Sequence, residues 1–188
     1  MMDLVFLLEG ESEKEMLHEF LPRFLPKDIN PVLIPFEGKQ DLLKRLNIKI
    51  KGWMKPCVGF VILCDKDHED CILLKQKLQK ACSSCGEGRY LIRIACAEIE
   101  SWYLGDLFAV EKAFSLKNLG TYNKKKKYRA PDQLGNAKEE LKKLTSKAYK
   151  EKSGSREIGK YLSPNPCDNS SCSFGVFLSG LKRFISPI

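Results

Sequence analysis

Five acidic residues stand just beyond runs of apolar residues. Glu9 follows Leu4-Val5-Phe6-Leu7-Leu8, Asp65 and Asp67 follow the run from Val58 to Cys64, and Glu98 and Glu100 follow the run from Tyr90 to Cys96. In an open parallel sheet the C-terminal ends of all strands open on one edge, and that edge binds ligands. Carboxylates gathered there repel one another unless a cation lies between them, so the pattern predicts a divalent metal. Asp65-Lys66-Asp67 strengthens it, because alternate residues of an extended chain point the same way and both carboxylates then reach one cation. Mg²⁺ takes hard oxygen ligands and is held by one or two carboxylates together with substrate phosphates. Taken alone, the D-x-D has an ordinary explanation: acidic residues after strands start loops and cap helices, and Asp67 is placed to cap a helix beginning near Glu69. Its combination with Glu9-Gly10 and with Glu98 and Glu100 on the same expected edge favours the metal.

The elements that must position these residues alternate along the first half of the chain. A short buried strand is expected over 4–8. Gly10-Glu11 then makes a turn, and Ser12 with Glu15 three residues later reads as a capping box. Met16, Leu17, Phe20 and Leu21 recur at helical spacing before Pro22 ends or kinks the helix. A second strand over 31–35 is fenced by prolines, and Gly38-Lys39-Gln40-Asp41 opens a helix through Leu42, Leu43 and Leu46. Residues 57–64 are the most apolar strand, followed by a helix over about 69–81 and a strand over 90–96. This β-α-β-α-β-α-β order calls for a parallel sheet of about four strands with helices on both faces. If β1 and β3 are neighbours at the switch point, Glu9 meets the D-x-D there.

The second half is expected to be helical: 99–115, a basic amphipathic helix over 136–149, Ser155 to Leu162, and a closing helix from Ser173 to Phe184. A polar loop over 117–135 and a Pro/Asn-rich loop over 164–169 separate them. The chain reads as one domain over 1–188, with a core over about 1–105 and a helical elaboration over about 106–188. Trp102, Tyr103, Phe174, Phe177 and Leu181 have the spacing of core residues.

The 188 residues are enough for one well-buried core. No apolar run approaches the roughly 20 residues of a membrane span, and no basic leader precedes the first apolar run, so a cytoplasmic protein with no membrane role is expected. Cys57, Cys64, Cys71 and Cys96 lie in or beside apolar segments, where free Cys packs as a small hydrophobe. Cys82-Ser83-Ser84-Cys85 is a CxxC and Cys167 and Cys172 form a wider pair; together they could bind zinc, but the C-x4-C spacing is loose and the two pairs are far apart in the sequence. The net charge of +8 (32 basic and 24 acidic residues) sits beside a localised acidic cluster. That combination suits a polyanionic substrate held by lysines and processed at a metal, although general solubility produces the same balance.

Leu8-Glu9-Gly10-x-Ser12-Glu13 after the first strand, with Asp65-x-Asp67 after the third, resembles the Toprim domain of topoisomerases, primases and overcoming-lysogenization-defect nucleases. Glu98-Ile99-Glu100-Ser101-Trp102-Tyr103-Leu104-Gly105-Asp106, Asn136-Ala137-Lys138-Glu139-Glu140-Leu141 and Ser173-Phe174-x-x-Phe177 resemble a prokaryotic Toprim-like family, domain of unknown function 4276. The resemblance covers nearly the whole chain. It implies a Toprim-like, Rossmann-type α/β fold with a helical C-terminal extension. It also implies that Glu9 does acid/base work or contacts metal, that Asp65 and Asp67 bind Mg²⁺ (or Mn²⁺), and that Glu98 or Glu100, with Glu98 slightly favoured, adds a ligand. Glu9, Asp65 and Asp67 are thus the expected catalytic set. The strand-passage tyrosine domain of a topoisomerase and the zinc apparatus of a primase are not part of this sequence. The activity expected of a stand-alone domain is therefore nucleic-acid phosphodiester hydrolysis, in defence or repair. A non-catalytic module that binds nucleic acid or a partner protein such as an ATPase is the alternative.

Lys124, Lys125, Lys126 and Lys127, with Arg129 after them and Tyr122 and Tyr128 flanking, have the composition of a strand-tracking segment whose tyrosines stack on bases; a solvated loop is the plainer alternative. Lys14, His18, Arg93 and Arg156 are candidates to hold a phosphate near the metal, with Lys14 and His18 four residues apart on one helix face. His68, next to the D-x-D, is a candidate to support the metal ligands.

Overall fold

β1 (Met2–Leu8), α1 (Glu11–Phe20), β2 (Ile29–Pro35), α2 (Lys39–Lys51), β3 (Cys57–Asp65), α3 (Cys71–Ser83) and β4 (Tyr90–Ala95) alternate in the computed structural model, which describes residues 2–83 and 89–186. The four strands form one sheet in the order β2-β1-β3-β4, and every neighbouring pair is parallel. Because β2 lies on one side of β1 and β3 on the other, the winding reverses between β1 and β3, which makes their C-terminal ends the switch point. Leu8 pairs with Leu63 across that boundary, so Glu9 leaves β1 beside the last residues of β3.

The continuous apolar runs follow from burial on both faces. Leu4, Phe6 and Leu8 enter one core, and Val5 and Leu7 enter the other. Leu42 and Leu46 of α2 and Leu74 and Leu78 of α3 close the second core. The first core is larger and takes in α1 together with the helices that follow the sheet.

Those helices are α4 (Glu100–Gly105), α5 (Leu107–Ala113), α6 (Ala137–Leu144), α7 (Glu151–Gly159) and α8 (Cys172–Ile185). The helix expected over 99–115 is two helices. Asp106 breaks it at φ −129° and ψ 75°, and its carboxylate accepts from Ala109 N at 3.1 Å and Ser163 N at 3.0 Å. Side-chain capping in a non-helical conformation outcompetes the helical continuation there. The capping box expected at Ser12 does not form. The helix begins at Glu11 after Gly10, the Ser12 hydroxyl donates to Glu13 at 3.3 Å, and Glu15 pairs with Arg156. The expected polar loop over 117–135 contains three short 3₁₀ turns.

Trp102 fastens the helical part to the sheet. Its ring lies 5.1 Å from that of Phe174 and 5.0 Å from that of Phe177, and its Nε1 donates to Ser173 Oγ at 2.8 Å. Phe108 does not join this core and is exposed. Cys57, Cys64, Cys71, Cys82, Cys96, Cys167 and Cys172 are free thiols. Cys82 is buried in the second core, and Cys85, its partner in the CxxC, lies outside the described residues. Among the described residues, no helix is long and apolar enough to cross a membrane.

α1 and α7 meet closely at Gly159, where an added Cβ would come within 2.6 Å of the Met16 carbonyl oxygen. A backbone atom cannot move aside as a side chain can. Gly159→Ala is therefore expected to destabilise the protein by about 1–3 kcal/mol. Gly175→Ala, on α8 with no heavy atom within 4 Å of the new methyl, should be neutral or stabilising by up to ~1 kcal/mol. Paired urea denaturation curves measure both.

Candidate functional site

Hydrogen bonding at the switch point carries the β1–β3 ladder one step past the strands. Glu9 N donates to Leu63 O at 3.1 Å, and the Glu9 carboxylate accepts from Asp65 N at 3.0 Å. Glu9 is therefore fixed by the backbone of the strand that carries Asp65. The Asp65 side chain turns inward, and its Oδ1 is buried with no hydrogen-bond partner.

Two further carboxylates close on this pair. Glu13, one helical turn beyond Glu9 on α1, is 3% exposed. Glu100, the first residue of α4, is 1% exposed; one carboxylate oxygen accepts from Tyr149 Oη at 2.9 Å and the other is buried without a partner. Burial favours the neutral acid, and like charges add to that preference. Burial raises the Glu9 carboxyl to about 7; the Asp65 N–H and Lys39 oppose the rise, while Glu13 and Asp67 add to it. Burial likewise raises Glu100 to about 7, against Lys138. Asp65 is pushed well above the ordinary carboxylate range by burial and then by Glu13, Glu100 and Glu9, and Glu13 is raised chiefly by burial. Glu9, Glu13, Asp65 and Glu100 thus form one electrostatic unit that holds protons at pH values where surface carboxylates have lost theirs.

Asp67 is oriented differently. β3 ends at Asp65, and Asp67 has φ +50°, so the alternation of an extended chain does not reach it. Its backbone N–H donates to Ala97 O at 2.8 Å, and its carboxylate is held by Lys39 Nζ at 2.5 Å. Lys39, the first residue of α2, also lies 3.5 Å from Glu69. Burial alone would lower its pKa, but the Asp67 hydrogen bond and the charges of Glu9, Asp67 and Glu69 raise it. Glu98 is also engaged elsewhere, its carboxylate accepting from Lys138 N at 2.8 Å at the start of α6. A carboxylate at a helix N-terminus satisfies an otherwise unpaired N–H and complements the helix dipole. Glu100, not the slightly favoured Glu98, is therefore the member of the segment that enters the cluster.

Glu13 and Lys39 were not among the residues expected from sequence. Glu13 had a signal, since it lies four residues after Glu9 in a motif already singled out. Lys39 had a weaker one, a lysine after Gly38 at the start of a helix.

The expected basic contacts are partly taken. Arg156 pairs with Glu15, Lys14 with Glu11 at 3.2 Å, and Lys127 with Glu140 at 2.6 Å. Lys125 Nζ lies 3.0 Å from the centre of the Tyr122 ring, and the Arg129 guanidinium donates to Lys124 O at 3.1 Å. Tyr128, expected to stack on bases, is buried and donates to Glu140 at 2.7 Å. Lys124 and Lys126 are exposed. His18 is beside Glu19 at 3.2 Å, and Arg93 donates to Val176 O at 3.1 Å; His68 is exposed.

Among the described residues, no group of three or more His, Cys, Asp or Glu side chains is arranged to hold a metal ion. The donor chemistry nevertheless suits a hard cation: the cluster consists of carboxylates, and Asp65 Oδ1 and one oxygen of Glu100 are buried without partners. In this arrangement protons do the neutralising. The sign of the pH dependence follows. For Glu9 and Glu100 the folded pKa of about 7 lies above the ordinary carboxylate value of 4.5, so their contribution to stability is complete below 4.5 and is lost as pH rises toward 7. Melting temperature in the presence of a chelator should fall across that window, and Glu100→Gln, which removes one titrating acid, should show a smaller fall. Melting curves at a series of pH values test this; an equal or larger fall in the variant would overturn it.

The family model described as Domain of unknown function (DUF4276) matches residues 8–182, from the last residue of β1 into α8, and so takes in β2, β3, β4, the carboxylate cluster and helices α1 to α7. No curated protein and no solved structure matches the chain. The chain belongs to the DUF4276 family.

Proposed function

We propose that this protein is a divalent-metal-dependent phosphodiesterase that acts on nucleic acid. The observation that carries the proposal is the gathering of buried Glu13 and Glu100 with half-buried Glu9 and Asp65 at the switch point of a parallel sheet, with two carboxylate oxygens lacking partners. Asp65 and Glu100 would hold the Mg²⁺ or Mn²⁺, with Glu9 beside them. When bound, such an ion lowers the pKa of its water and offsets charge developing on a phosphoryl oxygen.

The residues themselves supply the rest. Glu9, with a pKa of about 7, is poised to take up and return a proton near neutral pH, where general acid/base catalysis is most effective. Tyr149 fixes the orientation of Glu100 through its 2.9 Å bond. Lys39 sets a positive charge beside Glu9 and keeps Asp67 in place. The Toprim resemblance of the Glu9 and Asp65 motifs supports the same chemistry and the same class of substrate.

A non-catalytic module that binds nucleic acid or a partner protein such as an ATPase is the second proposal. The observation in its favour is the ion pair between Lys39 and Asp67, which already neutralises one of the expected ligands. Incubating the protein with single- and double-stranded DNA and RNA and either Mg²⁺ or Mn²⁺ separates the two. Hydrolysis should require the metal, and Glu9→Gln should slow it by about 10²–10⁴-fold. Asp65→Asn should abolish it while leaving the fold intact, since the amide matches the size and neutrality of the protonated acid. Absence of cleavage on all four substrates, with retained binding, would decide for the module.

A further inference from the structure

We propose that the cavity between the end of α6 and the start of α7 binds the sugar–phosphate backbone of a nucleic acid. The cavity has a volume of about 720 Å³ and includes Lys142, Lys143, Lys147 and Lys150 in its lining, with buried Tyr149 among them. This site deepens the function proposed above, because it supplies the substrate contacts that the 124–129 segment has largely committed elsewhere.

The local backbone explains why the lysines converge. α6 ends at Leu144, and Ser146 and Lys147 then take φ values of +49° and +67°. Lys147 N donates back to Lys142 O at 2.7 Å, closing the helix end and folding the chain toward Lys150. Left-handed φ is uncommon for lysine, so this turn is an unusual one held in place by its surroundings.

Charge then selects the ligand. The two acidic residues in the lining are occupied: Glu139 pairs with Lys142 at 2.8 Å and Glu151 with Lys138 at 3.4 Å. Among the described residues, Lys143, Lys147 and Lys150 form no ion pair and are exposed. Three ammonium groups without a salt-bridge partner, of which Lys143 also feels the charges of Glu139 and Glu140, focus positive potential in a concavity and attract a polyanion. The cationic groups of the lining are lysines, which bind phosphate as point charges. None of the large exposed apolar side chains lies in it, so it lacks the groups that insert into a lipid surface.

Position relates the cavity to the chemistry. Tyr149 belongs both to the cavity lining and, through its hydroxyl, to the carboxylate cluster at Glu100. Lys138, the partner of Glu151, has its pKa raised by Glu100 and Glu151, although burial opposes the rise. A strand whose phosphates rest on Lys143, Lys147 and Lys150 therefore lies on the far side of one tyrosine from Glu100.

The test is fluorescence anisotropy of a labelled single-stranded oligonucleotide, with chelator present to prevent cleavage, across a salt series. The proteins compared are wild type, the triple variant Lys143→Gln/Lys147→Gln/Lys150→Gln, and a control Lys44→Gln/Lys49→Gln/Lys51→Gln that removes the same charge from α2 across the sheet. Circular dichroism melts establish that each is folded. The cavity variant should lose roughly tenfold or more in affinity, and its slope of log affinity against log salt should flatten by about two, the effect of three lost phosphate contacts on a single strand. The control should change the slope by less than one such contact. Equal affinity and slope for the cavity variant and wild type would overturn the site, as would binding of wild type to phosphatidylserine vesicles or polyglutamate but not to the oligonucleotide. Loss of binding in the cavity variant, with no cleavage by wild type under any metal, would uphold the site and reject hydrolysis. Unchanged binding with metal-dependent cleavage would do the reverse.

Discussion

Four carboxylates gathered beside one another, two buried and two half-buried, impose the main constraint on this molecule. Each ionised acid would be costly in a poorly solvated site, and four would be prohibitive. The fold brings Glu9, Glu13, Asp65 and Glu100 together nonetheless, and meets the cost with shifted protonation, hydrogen bonds from Asp65 N, Ser12 Oγ and Tyr149 Oη among others, and two nearby lysines. Lys39 comes from the face of the sheet covered by α2, and Lys138 comes from the helical half of the chain. The cluster therefore depends on elements from both sides of the sheet, and the parallel strands are the frame that holds them in register.

The surrounding packing serves that frame. β1 is buried on both faces, so its position is fixed by two cores at once, and Glu9 is the first residue to emerge from it. The loops after β3 and β4 are tied together by Lys66 N to Ala95 O and Asp67 N to Ala97 O, both at 2.8 Å. Asp67 and Ala97 both have positive φ, at +50° and +65°. Two strained turns bonded to each other lock the rim of the site more firmly than either would alone.

The sheet was legible in the sequence because its strands are apolar runs of the right length separated by amphipathic segments. Glu9, Asp65 and Glu100 were legible because strand ends and short motifs give their positions. The fate of Asp67 was not, since it depends on a backbone turn that no periodicity announces and on a lysine from another element. Glu98 and Glu100 are two residues apart, and which one faces inward is decided by where α4 begins and by the unpaired amide at the start of α6. The break at Asp106 was hidden in the same way: a run of apolar residues at helical spacing continues through it, and only the capping geometry of its side chain ends the helix. The lysines of the α6–α7 cavity read as the polar face of a longer helix until Ser146 and Lys147 turn the chain.

The bond from Tyr149 to Glu100 also bears on the order in which the chain is made. A domain is synthesised from its N-terminus at a pace slow enough for early segments to organise before later ones exist. When the chain has emerged only through residue 105, all four strands and all four acids are present, but Tyr149, Lys138 and the Phe174–Phe177 layer over Trp102 are not. Glu100 then lacks its Tyr149 partner and the helices packed around it, so the burial that raises its pKa is incomplete. Only the later helices seal the cluster and draw protons onto it. Completion of the site by the later helices thus favours the protonated acids.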